Sequence, residues 1–372
     1  MSIRCSQVVQ ILQKLAPENL ARDWDNVGLL VGNFSKNIEK IMVTLDVTPQ
    51  VVDEAVKKDI DLILSHHPII FEPLKNLRLD NPRNKMLAKI LKYDIAVYCA
   101  HTNLDVAING VSDVLAAKLG LTKVEVLKAT AKEKLYKLVV FVPEDHTQQV
   151  RAALGDAGAG FIGNYSHCTF KTPGIGTFKP GEGTNPYIGE QAKLSEVKED
   201  RMETIVPENI LSRVLHAMVE AHPYEEVAYD LYPVVQNGVS QGLGRIGWLE
   251  QETVLAEFVQ LLKQQLEISF LKIVGNLEDK VKRIAVCGGS GGSLISTAHK
   301  KGAQVFITGE ISYHEAQLAK DIGLALIDAG HWATEVPVLS YLQKYLAGEL
   351  NAAGEKVEII LSKTKTEPFL YL

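Results

Sequence analysis

The chain has 372 residues, 46% of them apolar, and a formal charge of −6. That length buries a full core and points to two or three domains, while the acidic balance excludes a nucleic-acid or anionic-membrane surface built on bulk charge. Four scattered cysteines, Cys5, Cys99, Cys168 and Cys287, form no Cys-x-x-Cys pair, so neither a disulfide framework nor a thiolate zinc site is expected and the chain reads as a cytoplasmic protein.

Near the start, Val8, Ile11, Leu12 and Leu15 recur at helical spacing. They predict an amphipathic first helix rather than a signal segment. The longest apolar runs are strand-length, so no transmembrane span is expected. Strands follow at residues 40–46, 61–65 and 95–100. The second ends in Ser65-His66-His67-Pro68 and the third in His101-Thr102-Asn103-Leu104-Asp105. Asp25, Asn26 and Asp46 read as N-cap or turn residues.

Residues 128–238 have a different character and read as an insert. The alternation at 136–143 is a strand, 147–157 a helix, and strands are expected near 160–164 and 167–172. A Gly/Pro-rich stretch, 174–189, reads as a long loop, 202–206 as a strand, 208–221 as a helix and 226–232 as the last strand. This order predicts a ferredoxin-like α+β domain. Its exposed-strand candidates, 138–142 and 227–231, have edges that need a cover. In His222-Pro223-Tyr224-Glu225-Glu226 the histidine and the acids suit metal ligation, and a Pro-containing turn explains them equally well.

After the insert the first pattern returns. Residues 283–289 align with 40–46, 304–310 with 61–67, and 325–331 with 95–101, which places Gly309-Glu310 on His66-His67, His331 on His101 and Glu335 on Asp105. The expected fold class is therefore α/β, with two pseudo-symmetric halves forming one domain (1–127 plus 239–372) around the insert (128–238). Ligands of open α/β sheets sit at the carboxyl ends of the strands. A single His-His pair is usually polar filling. Three His/carboxylate clusters, each directly after a strand, are what a site for one or two transition-metal ions needs. The run Gly288-Gly289-Ser290-Gly291-Gly292-Ser293 matches no nucleotide fingerprint, although backbone N–H groups at such a turn permit a phosphate-bearing ligand.

His66-His67-Pro68, His101-x-x-x-Asp105, Thr308-Gly309-Glu310 with His314, Gly330-His331-x-x-x-Glu335, and Trp24-Asp25-Asn26-Val27-Gly28-Leu29 together resemble the signature of the Nif-three-like family of dinuclear-metal proteins, the GTP cyclohydrolase I type 2 homologues. The insert is similar to the PII/CutA-like domain of longer members. The resemblance implies two divalent ions per chain, zinc, iron or manganese, with His66 and Asp105 on one, His67 and His331 on the other, and Glu335 bridging. His101 and Glu310, the repeat-mates of His331 and His67, become candidates for orienting ligands or moving protons. The activity it implies is hydrolytic opening of the guanine imidazole ring of GTP, or hydrolysis of a related phosphorylated substrate. The alternative is a non-catalytic metal-binding regulatory protein whose insert senses a small ligand. The implied assembly is a homohexameric ring.

Overall fold

The computed structural model describes residues 2–370, which divide into two compact units. One runs to Ala131 and resumes at Gln241; the other is Lys132–Ser240. Both unit boundaries fall inside long strands, Thr122–Pro143 and Tyr229–Val254.

The first unit contains two similar parallel arrays. In the first, Lys40–Thr44, Leu62–Ser65 and Ala96–Cys99 lie side by side, with Glu358–Leu361 and Gly28–Val31 on the flanks. Pairing is parallel, Ile41 opposite Leu62 and Leu62 opposite Ala96, and the three central strands are almost wholly buried. Successive side chains of a strand point to opposite faces. Ile41, Val43, Leu62, Leu64 and Tyr98 therefore pack with the helices Cys5–Leu15 and Pro337–Ala352, while Met42, Ile63 and Val97 pack with Pro49–Lys57 and Pro82–Lys92. Burial on both faces explains why these strands read as continuous apolar runs.

The second array repeats this with Lys280–Val286, Val305–Thr308 and Ala325–Asp328, Ile284 opposite Val305 and Val305 opposite Ala325. Here the flanking strands are Lys272–Val274 and the carboxyl part of Tyr229–Val254, both antiparallel to their neighbours. Alternation again splits the core: Ile284, Val286, Ile307 and Ile327 face the helix Leu255–Leu266, and Ala285, Phe306 and Leu326 face Ile295–Lys300. Arg245, 2% exposed, joins the two arrays. Its guanidinium donates to both oxygens of Asp113 at 2.6 Å and to the carbonyls of Gly242, Gly244 and Ala107 at 2.7 to 2.9 Å. A buried cation held this way needs every donor answered.

In the second unit the elements run strand, helix, strand, strand, helix, strand. The strand Thr122–Pro143 enters it and pairs antiparallel with Ser195–Pro207, which pairs with Thr169–Phe178 on its other side; the helices Thr147–Asp156 and Leu211–Ala221 close the core. Two local expectations need correction. Residues 160–164 form only a one-residue bridge, Ile162 to Tyr165, because the positive-φ glycines Gly160 and Gly163 turn the chain there. The strand instead runs on through Gly174 and Gly176 to Phe178, so the irregular loop starts later. Likewise 138–142 is not an edge: Leu138, Val139, Val140 and Val142 are buried, and the outer strand is Thr169–Phe178, with Phe170 and Ile175 exposed. Among the described residues no helix is long and apolar enough to cross a membrane.

Candidate metal centre

The carboxyl ends of the two parallel arrays in the first unit bring the strand-end residues together. His66 and His67 follow the strand Leu62–Ser65. His101 precedes the short helix Thr102–Val106, which carries Asp105. In the other array Gly309 and Glu310 follow Val305–Thr308, and Gly330, at φ +90°, turns the chain into the helix His331–Glu335. Residues four apart share a helix face, and His331 Nε2 lies 3.2 Å from Glu335 Oε1.

One nitrogen each from His66, His67 and His101 lies within 4.8 Å of the others, and the same holds for ligand atoms of His67, His331 and Glu335. His66 Nε2 is 3.7 Å from both Asp105 Oδ1 and Glu335 Oε1. Each imidazole is anchored by Nδ1: His66 to the carbonyl of Ala100 at 2.8 Å, His67 to Asp46 at 2.7 Å, His101 to Asp25 at 2.9 Å, and His331 to Glu310 at 3.4 Å. An Nδ1–H held by an oxygen fixes ring and tautomer and leaves Nε2 as the free donor atom. Sequence reasoning read Asp25 and Asp46 as N-cap or turn residues. Asp25 does accept from the backbone and hydroxyl of Thr102, yet its other oxygen aligns His101; no local pattern signals a contact made across 76 residues. His314 stands apart, exposed and bonded to Gln317.

Electrostatics follow from this crowding. Burial and the neighbouring Glu335 carboxylate push Asp105 up, while His66 pulls against them. Burial also works to raise Glu335, but the charge of His66 and the close approach of the His331, His66 and His67 imidazoles hold it well below the usual carboxylate range. His67 is driven the other way: against burial, Asp46 and Glu335 raise it to about 10. Asp25 falls to about 2, since the His101 and Thr102 hydrogen bonds outweigh its burial. Carboxylates packed this tightly demand positive charge at the centre of the cluster.

The residues fit metal ions on two independent observations. His66 Nε2 and Glu335 Oε2 are fully buried and take part in no hydrogen bond, a costly state for groups meant to meet only each other. In addition, the Gly288–Gly289 turn leaves room beside the carboxylate, because a Cβ on Gly289 would stand 2.2 Å from Glu335 Oε1 and 3.1 Å from His331 Nε2. This also explains the glycine run without a phosphate. The Gly289 N–H is spent on Thr334 at 3.1 Å, its carbonyl accepts from Thr308 at 2.8 Å, and Gly291 and Gly292 sit against Thr308 and Glu315. The cluster opens into a cavity of about 640 Å³ lined by His67, His101, Glu310, His331, Trp332 and Lys272 among others.

The chain is 45% identical over 371 residues to the Bacillus subtilis (strain 168) GTP cyclohydrolase 1 type 2 homolog, covering 100% of this chain and 99% of the relative. It is 36% identical over 357 residues to the homolog of the same name from Mycobacterium tuberculosis, covering 95% and 94%. The crystal structure of a Bacillus cereus protein related to NIF3 superposes with a TM-score of 0.94 at 44% identity, over 100% of this chain and 99% of that one. A family model for Duf34/NIF3 (NGG1p interacting factor 3) matches residues 3–368, and the chain belongs to that family.

Proposed function

We propose that this protein is a dinuclear divalent-metal hydrolase acting on a small, phosphorylated substrate. The observation that carries the reading is the convergence of anchored imidazoles on the buried Glu335 carboxylate, with His66 Nε2 and Glu335 Oε2 unbonded, at the floor of the 640 Å³ cavity. In this reading His66 and Asp105 hold one ion, His67 and His331 the other, and Glu335 both, with His101 placed as a further nitrogen donor beside His66 and His67. Bound there, such ions polarise a C=N or phosphoryl group and lower the pKa of water toward neutrality. The chain's own residues then have separate tasks. Asp46, Asp25 and Glu310 keep the Nδ1 protons of His67, His101 and His331 in place, and Glu310, 66% exposed at the cavity wall, is positioned to exchange a proton with substrate. Trp332 offers an apolar face to a ring, and Lys272, paired with Asp328 at 2.9 Å, supplies a cation for a phosphate.

The names of the curated relatives make GTP the first substrate to test, in protein loaded with zinc, iron or manganese. Elemental mass spectrometry should find two divalent ions per chain, and Glu335→Gln should lose both. Full stoichiometry in that variant would remove the bridging role. Absence of turnover on any nucleotide or phosphodiester by the loaded protein would favour the second reading, a metal-binding regulatory protein, for which the separate cavity in the second unit speaks. We also infer a cytoplasmic homohexamer, with the second unit as a PII/CutA-like domain. The exposed apolar residues of its outer strand, Phe170 and Ile175, suit a covered edge, and light scattering should give about six times the chain mass.

A further inference from the structure

The second unit has its own cavity, of about 540 Å³, built from residues that the metal centre does not use. Its wall is aromatic. Tyr224 stands between Phe178 and Tyr187, with ring centroids 6.1 and 6.2 Å away, and Phe141 completes the lining. Into this wall is set Glu199, on the strand Ser195–Pro207 and only 8% exposed. One carboxylate oxygen accepts from the Tyr224 hydroxyl at 2.8 Å. The other lies against the backbone of Gly176, where a Cβ would come within 2.0 Å of it, so the neighbouring strand is cut back to admit the acid.

The adjacent residue is a control. Asp200 is also buried, but it has its cation, Lys171 at 2.8 Å, and a second hydrogen bond from Thr147 at 2.7 Å. Glu199 has no lysine, arginine or histidine nitrogen at ion-pairing distance among the described residues, and one hydroxyl is a poor answer to a buried carboxylate. At the mouth, Glu225 and Glu226 add negative charge, opposed only by the exposed Lys179. Glu225 also accepts from the backbone N–H of Asn185 at 3.1 Å, which pins the Gly/Pro-rich loop that carries Tyr187.

The chemistry of these donors selects the ligand. A transition metal needs nitrogen or sulfur, and His222 has neither ring nitrogen free: Nε2 donates to the Phe141 carbonyl at 3.0 Å and Nδ1 accepts from the Tyr224 backbone at 3.1 Å. The histidine thus serves the turn, not a metal. A hard cation needs six or more oxygens, and beside the Glu199 carboxylate this wall sets the rings of Phe178, Tyr187 and Tyr224. Aromatic faces around a carboxylate only 8% exposed are instead the surroundings that hold an organic ammonium, by cation–π attraction and charge pairing together. We propose that the second unit binds a small organic cation, an amine or quaternary ammonium compound, between Phe178, Tyr187 and Tyr224 with its charge on Glu199.

The test is calorimetric titration of the full-length protein with choline and with putrescine, alongside 3,3-dimethylbutanol, the uncharged carbon analogue of choline. The cations should bind with one site per chain. Glu199→Gln, which keeps the side-chain shape, and Tyr187→Ala, at a half-exposed loop position, should each weaken that binding about tenfold or more, with metal content unchanged. Equal affinity for the neutral analogue would show an apolar pocket only. No heat with either cation at millimolar concentration, or binding indifferent to both substitutions in folded protein, overturns the proposal. So does Zn²⁺ or Cu²⁺ binding lost in Glu199→Gln, which would make the site a metal site.

Discussion

The two parallel arrays of the first unit share strand order and the placing of a short helix after the third strand, which lies one residue out of the register that the repeat alignment gives, yet they deliver different side chains to the same centre. In the first array the position after the second strand is His66, and the matching position in the other is Gly309. The structure gives the reason: a Cβ on Gly309 would stand 2.6 Å from the Cα of His331. The same opposition occurs one strand earlier. Asp46 anchors His67, while its mate Gly289 is bare so that Glu335 can occupy the space. A duplicated scaffold thus becomes one site by removing side chains on one side where the other side inserts them.

The comparison can be broken most severely at the tie between arrays. Arg245→Met leaves Asp113 and three carbonyls without their donor, and urea unfolding should show a loss of about 3 to 5 kcal/mol; a loss below 1 kcal/mol would show that the arrays hold together without it. Gly309→Ala tests whether the second array must be bare. Because the obstructing atoms are the backbone of Gly330 and His331 and the Thr334 hydroxyl, it should cost about 1 to 3 kcal/mol, and an unchanged melting curve would refute the packing argument. Asp46→Asn and Glu310→Gln compare the two anchors directly. Each should weaken metal retention against a chelator by about 10- to 100-fold, Asp46→Asn the more, since its contact is shorter, 2.7 Å against 3.4 Å.

The smallest effect lies outside the centre, where the tail is strapped to the first array. Glu54 accepts from Ser362, Thr364 and the Lys363 backbone and pairs with Lys58 at 2.6 Å. Although burial works to raise it, these contacts lower its pKa from 4.5 to about 2. A depressed folded value stabilises fully above the unfolded pKa and is lost as pH falls through the folded one. Stability should therefore decline from about pH 4.5 toward 2 by on the order of 1 kcal/mol, after allowing for solvent screening. Glu54→Gln should flatten that part of the pH–stability profile; an unaltered slope would discount the strap.

Much of the arrangement was legible because both periodicity and the repeat are local. The three apolar strands of each array, the helix starts and the His-x-x-x-carboxylate spacing can be counted along the chain, and His66, His67, Asp105, His331 and Glu335, chosen that way and by resemblance, do lie together in space. The errors fell where local signals mislead. Gly174 and Gly176 look like loop, but the sheet tolerates them because Glu199 occupies the side-chain space of Gly176. The alternating residues 138–142 look like an edge, but partners on the sheet cover them.

By itself the sequence determined the strand-and-helix order, the internal repeat, the insertion between its copies and the residue types gathered at strand ends, since these depend on side-chain polarity at fixed spacing. Only the tertiary structure decided which oxygen anchors each imidazole, why Gly289 and Gly309 must lack a side chain, how Arg245 is answered, and that Glu199 meets aromatic rings with no cation among the described residues. Those are relations between residues tens to hundreds of positions apart, set by the direction and distance of side chains once the chain is packed, and linear spacing carries no information about either.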